Sequence, residues 1–445
     1  MKKNLFVFAA ATALLFSACS PEQDDFFSDS SANRADQSII NDMEILTSAP
    51  YGWSMTYFPS ATQSYGGFNF VVSFSKDGKV TFSAESDISD DTSKKATSLY
   101  SIVQSSGVTL TFDTYNAIFS LMADPFAPIA GSSGEGMGGD NEFSILSACP
   151  DSVILKGRAS GNKAVLYPMK NDDWKGYLDE LYEVDSKMYA SSYTLLIGED
   201  SITVSTDMRG LSITYIEDGK YVTTYASYII TKRGMEFYKP FEFKGKTITG
   251  FKLDDDNDDK FESFDDPNVQ ILRDPINRQF VNSLWGMANE NIGAYGQYYW
   301  KRWATAAANS ESFPGEILLA AFGKFGYNVG LVFKTWNEDE QDYIVGQIYF
   351  DYELVGDNRV ILSCRKTGDD YGQMMYGEGY NYACAPFGLL KPFEFELSSD
   401  NLKEGIDLKC LTETKVGTKV YSNDMHLTRS FTAWPLRDPA DREDR

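Results

Sequence analysis

Phe68-Asn69-Phe70-Val71-Val72-Ser73-Phe74-Ser75-Lys76-Asp77-Gly78-Lys79-Val80-Thr81-Phe82-Ser83-Ala84 is the stretch that decides the fold. Phe68, Phe70, Val72 and Phe74 recur every second residue, so their side chains share one face of an extended strand. Asp77-Gly78 then supplies a tight turn, where glycine accepts the positive φ a hairpin needs. Val80, Phe82 and Ala84 resume the alternation on the return strand, which makes the unit an antiparallel hairpin with one buried face.

The same grammar extends in both directions. Strands are expected at 109–112, 143–146 and 153–156, with a Ser160-Gly161-Asn162 turn into 164–166. Further strands fall at 193–197, 202–205, 211–216, 221–231 and 241–243, with Asp218-Gly219 as another hairpin turn, and then at 317–322, 329–336, 343–352 and 359–363. Three short amphipathic segments interrupt them. Ile39, Met43 and Leu46 lie at i, i+4 and i+7 before Pro50-Tyr51-Gly52-Trp53; Trp174, Leu178 and Leu181 keep the same spacing; Phe280 and Leu284 lead into Trp285-Gly286. The division is a β domain over 37–170, a middle β unit over 171–275, a C-terminal β domain over 276–437 and a solvated tail at 438–445. Lys239-Pro240-Phe241-Glu242-Phe243 returns as Lys391-Pro392-Phe393-Glu394-Phe395, which suggests related units or a coincidence in a Phe-rich chain. The fold class is mainly β: antiparallel sheets or meanders with a few short helices, closed as lipocalin-like barrels or packed as sandwiches.

Composition agrees with a packed core. Aromatic residues make up 14% of the chain, hydrophobic residues 42% and charged residues 23%. Phe, Tyr and β-branched side chains suit a pleated, half-buried surface. With 40 Lys and Arg against 64 Asp and Glu, the net charge is −24, which repels phosphate and excludes a nucleic-acid partner. The single histidine, His426, cannot build a multi-His zinc site, and a Ser-His nucleophile would depend on it alone.

The N-terminus reads as an address. Met1-Lys2-Lys3-Asn4 is basic, Leu5 to Phe16 is a short apolar run, and Leu15-Phe16-Ser17-Ala18-Cys19 places small residues before a cysteine. That is a bacterial lipoprotein signal over 1–18, with lipidation expected at Cys19 and a flexible tether over 19–36. Glu22, Asp24 and Asp25 form an acidic stretch just beyond, similar to a surface-export signal. The expected location is the outer membrane, lipid-anchored and facing the cell surface. Cys149, Cys364, Cys384 and Cys410 permit three pairings or none.

Several stretches resemble a known family. Leu46-Thr47-Ser48-Ala49-Pro50-Tyr51-Gly52-Trp53, Tyr65-Gly66-Gly67-Phe68-Asn69-Phe70 and Ser98-Leu99-Tyr100-Ser101-Ile102 come first. Leu110-Thr111-Phe112-Asp113-Thr114-Tyr115-Asn116, Gly138-Gly139-Asp140-Asn141-Glu142-Phe143, Leu155-Lys156-Gly157 and Gly161-Asn162-Lys163 follow in order. Together, over roughly 37–170, they resemble Bacteroidetes lipoproteins carrying domain of unknown function 4302. The family has no established activity. The resemblance implies a place beside starch-utilisation-type outer-membrane uptake pairs, sometimes beside a metallopeptidase, and hence surface capture of a nutrient.

Four groups of residues are candidates for chemistry. Asp254, Asp256, Asp258, Glu262 and Asp265 offer hard oxygen ligands at a spacing that suits Ca²⁺, although Asp259 stands where an EF-hand loop wants glycine; the alternative is a solvated hairpin tip. Gly134 to Gly139 fits G-x-G-x-x-G, but Glu135 and Asp140 would repel a pyrophosphate, so a structural loop is expected. Tyr298, Tyr299, Trp300 and Trp303, with Tyr376 and Tyr380, form two aromatic clusters able to stack on sugar rings or to fill a core. Asp113, Asp140 and Glu142 sit in the family-like motifs, where turn and strand-end hydrogen bonding is expected. No spacing marks a catalytic carboxylate pair. The expected function is a non-enzymatic binding or accessory component of a nutrient uptake system, with glycan first and peptide second as ligand. The alternatives are a carboxylate-dependent hydrolase and a docking subunit of an outer-membrane transporter complex.

Overall fold

In the computed structural model, residues 31–125, 136–217, 219–254, 257–313, 317–337 and 339–429 are described. The signal segment, Cys19 and the 438–445 tail lie outside them. The chain is mainly β, and its antiparallel meanders close on themselves as barrels.

The first barrel follows helix α1 (Ser31–Leu46) and contains β1 (Trp53–Tyr57), β2 (Phe68–Phe74), β3 (Lys79–Ala84), β4 (Ala96–Gln104), β5 (Val108–Phe112), β6 (Glu142–Cys149), β7 (Ser152–Gly157) and β8 (Lys163–Pro168). Each strand pairs with the next, and β8 returns to β1 with Leu166 opposite Met55. The second follows α2 (Trp174–Met188) with β9 (Ser192–Ile197), β10 (Asp200–Asp207), β11 (Gly210–Glu217), β12 (Lys220–Thr231), β13 (Gly234–Phe243), β14 (Lys246–Leu253), β15 (Lys260–Ser263) and β16 (Val269–Arg273), closed by β16 on β9. The third follows α3 (Ile276–Val281) with β17 (Leu284–Gly286), helix α4 (Ala294–Ala308), β18 (Ile317–Phe325), β19 (Asn328–Asn337), β20 (Asp342–Val355), β21 (Arg359–Gly368), helix α5 (Asp370–Gly377), β22 (Phe393–Ser398) and β23 (Gly405–Cys410). A side hairpin, β24 (Thr414–Val416) and β25 (Lys419–Tyr421), precedes the closing strand β26 (Met425–Thr428), which pairs with both β23 and β17.

The hairpin that opened the sequence reading forms β2 and β3, with Phe74 opposite Val80 and Gly78 at φ +79°. Its alternating apolar residues face inward because burying them removes the largest apolar area from water.

Each barrel begins with the same device. The Trp53 indole N–H donates to the Leu46 carbonyl at the end of α1, at 2.9 Å. The Trp285 indole N–H donates to the Phe280 carbonyl in α3, also at 2.9 Å. In the second barrel the Tyr193 hydroxyl donates to the Met188 carbonyl at the end of α2. A fully buried aromatic on the first strand thus donates to a carbonyl at the end of the preceding helix. The repeated Lys-Pro-Phe-Glu-Phe segment does not share this equivalence. It falls on β13, the fifth strand of its barrel, and on β22, the sixth of its own.

The interiors are filled with side chains. Phe119, on a 3-10 turn between β5 and β6, enters the first barrel and contacts Tyr57, Phe70, Phe82, Phe112 and Phe143. In the third barrel Phe322 stacks on Phe387 with centroids 4.4 Å apart. Small barrels packed in this way are cores, so any ligand site must lie between or outside them.

Candidate functional site: the cleft between the three barrels

The first two barrels meet through the Tyr65-Gly66-Gly67-Phe68-Asn69 segment. Gly66 has φ +73°, and a Cβ there would stand 2.2 Å from the Arg209 Cβ; one on Gly67 would stand 2.6 Å from the Phe58 ring. The Gly67 N–H donates to the Tyr228 carbonyl at 2.9 Å, and the Asn69 amide donates to the Ile230 carbonyl at 2.9 Å. Only glycine permits the two backbones to come this close.

That close approach surrounds a buried charge cluster. Arg209 sits in the β10–β11 turn, after Met208 at φ +49°. Its Nη1 donates to the Gly67 carbonyl at 2.7 Å and to Glu85 Oε1 at 2.5 Å. Its Nη2 donates to Asp87 Oδ2 and Asp185 Oδ2, both at 2.9 Å. Glu85 and Asp87 follow β3, and Asp185 lies on the inward face of α2. Lys403, from the β22–β23 connection, bonds Asp87 Oδ1 at 2.7 Å and also Asp185. Asn69 donates to the second Glu85 oxygen at 2.9 Å.

All three barrels therefore supply charge to one point. The Arg209, Glu85 and Asp185 side chains are at most 8% exposed. Three carboxylates face two cations, which leaves one net negative charge. Burial pushes the Glu85 carboxyl up, with Arg209 opposing. Burial would also raise Asp87, but Arg209 and Lys403 outweigh it and hold that carboxyl below its ordinary range. Burial works against the Lys403 ammonium, yet Asp185 and Asp87 prevail and raise it. Pairs of this kind cost much of what they return in desolvation, but removing one partner leaves an uncompensated buried charge.

The cluster forms one wall of a cleft of about 520 Å³. Tyr65, Asp87 and Met137 from the first barrel, Tyr189 after α2, Arg209 from the second, and Lys403 and Arg429 from the third all line it. That volume lies within the range of small-molecule sites. Arg429 follows β26. Its guanidinium lies 5.2 Å from the Tyr189 ring centroid and 5.1 Å from that of Trp285. It donates to the Tyr189 hydroxyl and, at 3.5 Å, to the Leu284 carbonyl.

The sequence candidates lie elsewhere. Trp300, Trp303 and Tyr380 are buried in the third barrel, where Trp303 meets Trp300, Phe333 and Tyr380. Those rings meet edge to face or tilted and complete the core. Tyr299 and Tyr376 are half-buried against it. Tyr298 is half-buried on the outer face of α4, with the Arg302 guanidinium 4.7 Å over its ring. Together with Lys301 and Tyr382 it lines a shallow groove.

In the acidic run, Asp254 and Glu262 both turn to Lys260, at 2.8 and 3.3 Å, and Asp265 accepts from Thr249. Asp258 is exposed, and Asp256 lies outside the described residues. Among the described residues no group of three His, Cys, Asp or Glu side chains is placed to hold a metal. Cys149, Cys364, Cys384 and Cys410 are free thiols. His426 is exposed and pairs with Asp407 at 2.8 Å. Gly138 and Gly139, from the glycine-rich segment, pack on Ser60 and Met122; Gly134 and Glu135 lie outside the described residues. Among the described residues no helix is long and apolar enough to cross a membrane.

Sequence reasoning missed Arg209, Glu85, Asp87, Asp185, Lys403 and Arg429. One signal was present: Asp185 continues the Trp174, Leu178, Leu181 stripe, and a carboxylate on the apolar face of a helix requires a buried cation.

The model of the family described as "Domain of unknown function (DUF4302)" matches residues 23–255, more than half of the chain. The chain belongs to the DUF4302 family. The DUF4302 match spans the first barrel, α2 and the second barrel through β14, so Glu85, Asp87, Asp185 and Arg209 lie inside it, while Lys403 and Arg429 lie beyond. No curated protein matches this DUF4302 chain. Among solved structures, the DNA polymerase III β chain of Streptococcus pneumoniae is 10% identical, with 89% of this chain and 97% of that one covered and a TM-score of 0.11. Transferrin Binding Protein B of Haemophilus parasuis is 8% identical, with 85% and 74% covered and a TM-score of 0.12. Scores of that size carry no argument about this DUF4302 protein.

Proposed function

We propose that this DUF4302-family chain is a lipid-anchored, surface-exposed outer-membrane protein that serves a starch-utilisation-like nutrient uptake system as a non-enzymatic binding component. Glycan is the favoured ligand class and peptide the second. The observation that carries the reading is the cleft of about 520 Å³ to which all three barrels contribute, set between barrel interiors already filled. The lipobox ending at Cys19 and the acidic stretch after it support the location.

Two carboxylates of the cleft, Asp87 and Asp185, share both Arg209 and Lys403. Those carboxylates act as counter-ions, which favours capture over carboxylate-dependent hydrolysis.

Calorimetry of the purified chain against a panel of polysaccharides and peptides tests the reading. Saturable binding without turnover is expected. Absence of binding across the panel, alongside co-purification with an outer-membrane transporter, would replace capture with docking. Labelling with radioactive fatty acid, lost on Cys19→Ala, tests the anchor.

A further inference from the structure

Arg429, on the wall of the cleft, holds hydrogen-bond donors that the protein leaves unused. Arg209 spends its four terminal N–H groups on Gly67, Glu85, Asp87 and Asp185, and its Nε, fully buried, has no partner. The Arg209 side chain is only 8% exposed, so that missing acceptor is a cost the protein carries. Arg429 makes two hydrogen bonds, to the Tyr189 hydroxyl and the Leu284 carbonyl, out of the five a guanidinium can donate. It has no carboxylate partner among the described residues, in a chain with 64 acidic side chains. The Tyr189 and Trp285 rings flank it, which fixes its plane before any ligand arrives.

The carboxylates of the buried cluster are, by contrast, committed, while the exposed Asp207, which also lines the cleft, makes no ion pair among the described residues. Glu85 is held by Arg209 and Asn69, and Asp87 and Asp185 by Arg209 and Lys403. At Arg429 a ligand must bring oxygen acceptors, and a planar fork with its charge uncompensated matches a carboxylate.

We propose that the cleft binds a small carboxylate-bearing ligand, with Arg429 as the carboxylate clamp. This rests on the capture reading and narrows its ligand. A uronic acid and the C-terminus of a short peptide both present the required group.

The test is titration calorimetry of the full chain in mild detergent with four probes: galacturonic acid, galactose, glycylalanine and glycylalanine amide. Binding of galacturonic acid but not galactose assigns a sugar acid; binding of glycylalanine but not its amide assigns a peptide terminus. In either case Arg429→Gln weakens binding roughly tenfold or more, the loss of one to two charge-assisted hydrogen bonds, and Arg429→Lys restores only part of it. A second readout guards against a misfolded variant: in the wild-type chain the bound carboxylate protects Arg429 from phenylglyoxal, mapped by peptide mass. Failure of both acids to bind, or binding indifferent to Arg429→Gln with no protection, overturns the proposal. If polysaccharides bind meanwhile, the capture reading stands and only the clamp falls; if nothing binds, both fall.

Discussion

The Tyr57 hydroxyl donates to Asp140 Oδ2 at 2.7 Å and accepts from the backbone N–H of the same Asp140 at 2.8 Å. The remaining capacity of that buried carboxylate goes to the Ala159 N–H at 2.5 Å, the Ser160 N–H at 3.0 Å and the Ser160 hydroxyl. One side chain thus ties β1, the entry to β6 and the β7–β8 turn together. Burial, and after it the Asp140 charge, push the Tyr57 phenol well above its usual range, so it stays a donor. Tyr57→Phe leaves a carboxylate oxygen and an N–H short of a partner and is expected to cost about 1–3 kcal/mol in urea unfolding. Asp140→Ala strands four donors at once and is expected to cost more, about 3–5 kcal/mol. Equal costs for the two variants would show that the pair is not the organising contact.

Arg209→Met removes the one cation shared by Glu85, Asp87 and Asp185. The expected loss is about 3–5 kcal/mol, because three buried or half-buried carboxylates are left with Lys403 alone. Adding Glu85→Gln and Asp185→Asn to that variant should recover part of the loss, since it removes the uncompensated charge rather than restoring a bond. Chemical denaturation of the single and triple variants checks both.

Gly66→Ala places a methyl against Arg209 at a backbone φ of +73°. The left-handed conformation alone costs roughly 1–2 kcal/mol in a residue with a Cβ. The clash falls between two barrels rather than inside one, so their docking should weaken before either core does. Calorimetry is expected to separate one transition into two, and a single transition at an unchanged temperature would refute this account of the glycine.

Alkaline titration should find two classes of tyrosine. Burial raises Tyr100 and Tyr380 from 10.0 to about 12. A phenol whose folded value is raised stabilises the fold fully below its unfolded value and loses that contribution as pH climbs from 10.0 through about 12. Lys403, raised by Asp185 and Asp87, acts in the same direction. Phenolate absorbance should therefore lag for the buried rings, and stability should fall through that window; a single transition near 10 for every tyrosine would contradict the packing.

Thiol labelling should follow exposure. Hydrogen bonds to Ser152 lower the half-exposed Cys149 thiol, whereas burial raises Cys384 well above its usual value. Alkylation of the native chain is expected to reach Cys149 first and Cys384 last, with all four reactive in denaturant. Peptide mass mapping over time reads the order directly.

Much of the fold was legible because its signals are local. Period-two alternation around Asp77-Gly78 fixes which face of β2 and β3 is buried, and Trp174, Leu178 and Leu181 mark α2 by spacing alone. Helix α4 was not legible as a helix: its Tyr and Trp residues look like a platform until the barrel around them is known. The cleft was still less accessible. Glu85, Asp185, Arg209 and Lys403 are far apart in sequence and carry no motif, and only the docking of three barrels makes one site of them. The two adjacent glycines of the family-like stretch, by contrast, were in plain view, but their reason is a neighbour's backbone that no strand pattern reveals.

The aromatic-to-carbonyl latches at Trp53, Tyr193 and Trp285 each join residues only five to seven positions apart. Barrel closure, by contrast, must wait for the last strand, as when Trp53 meets Pro168. A chain made N-terminus first can therefore start three folding events in succession, each anchored before its partner strands arrive. Each barrel closes on its own first strand, so a completed one presents no unpaired edge while the next is still incomplete. A synthesis error that stops the chain before Met425 leaves the third barrel open and does not undo the first two.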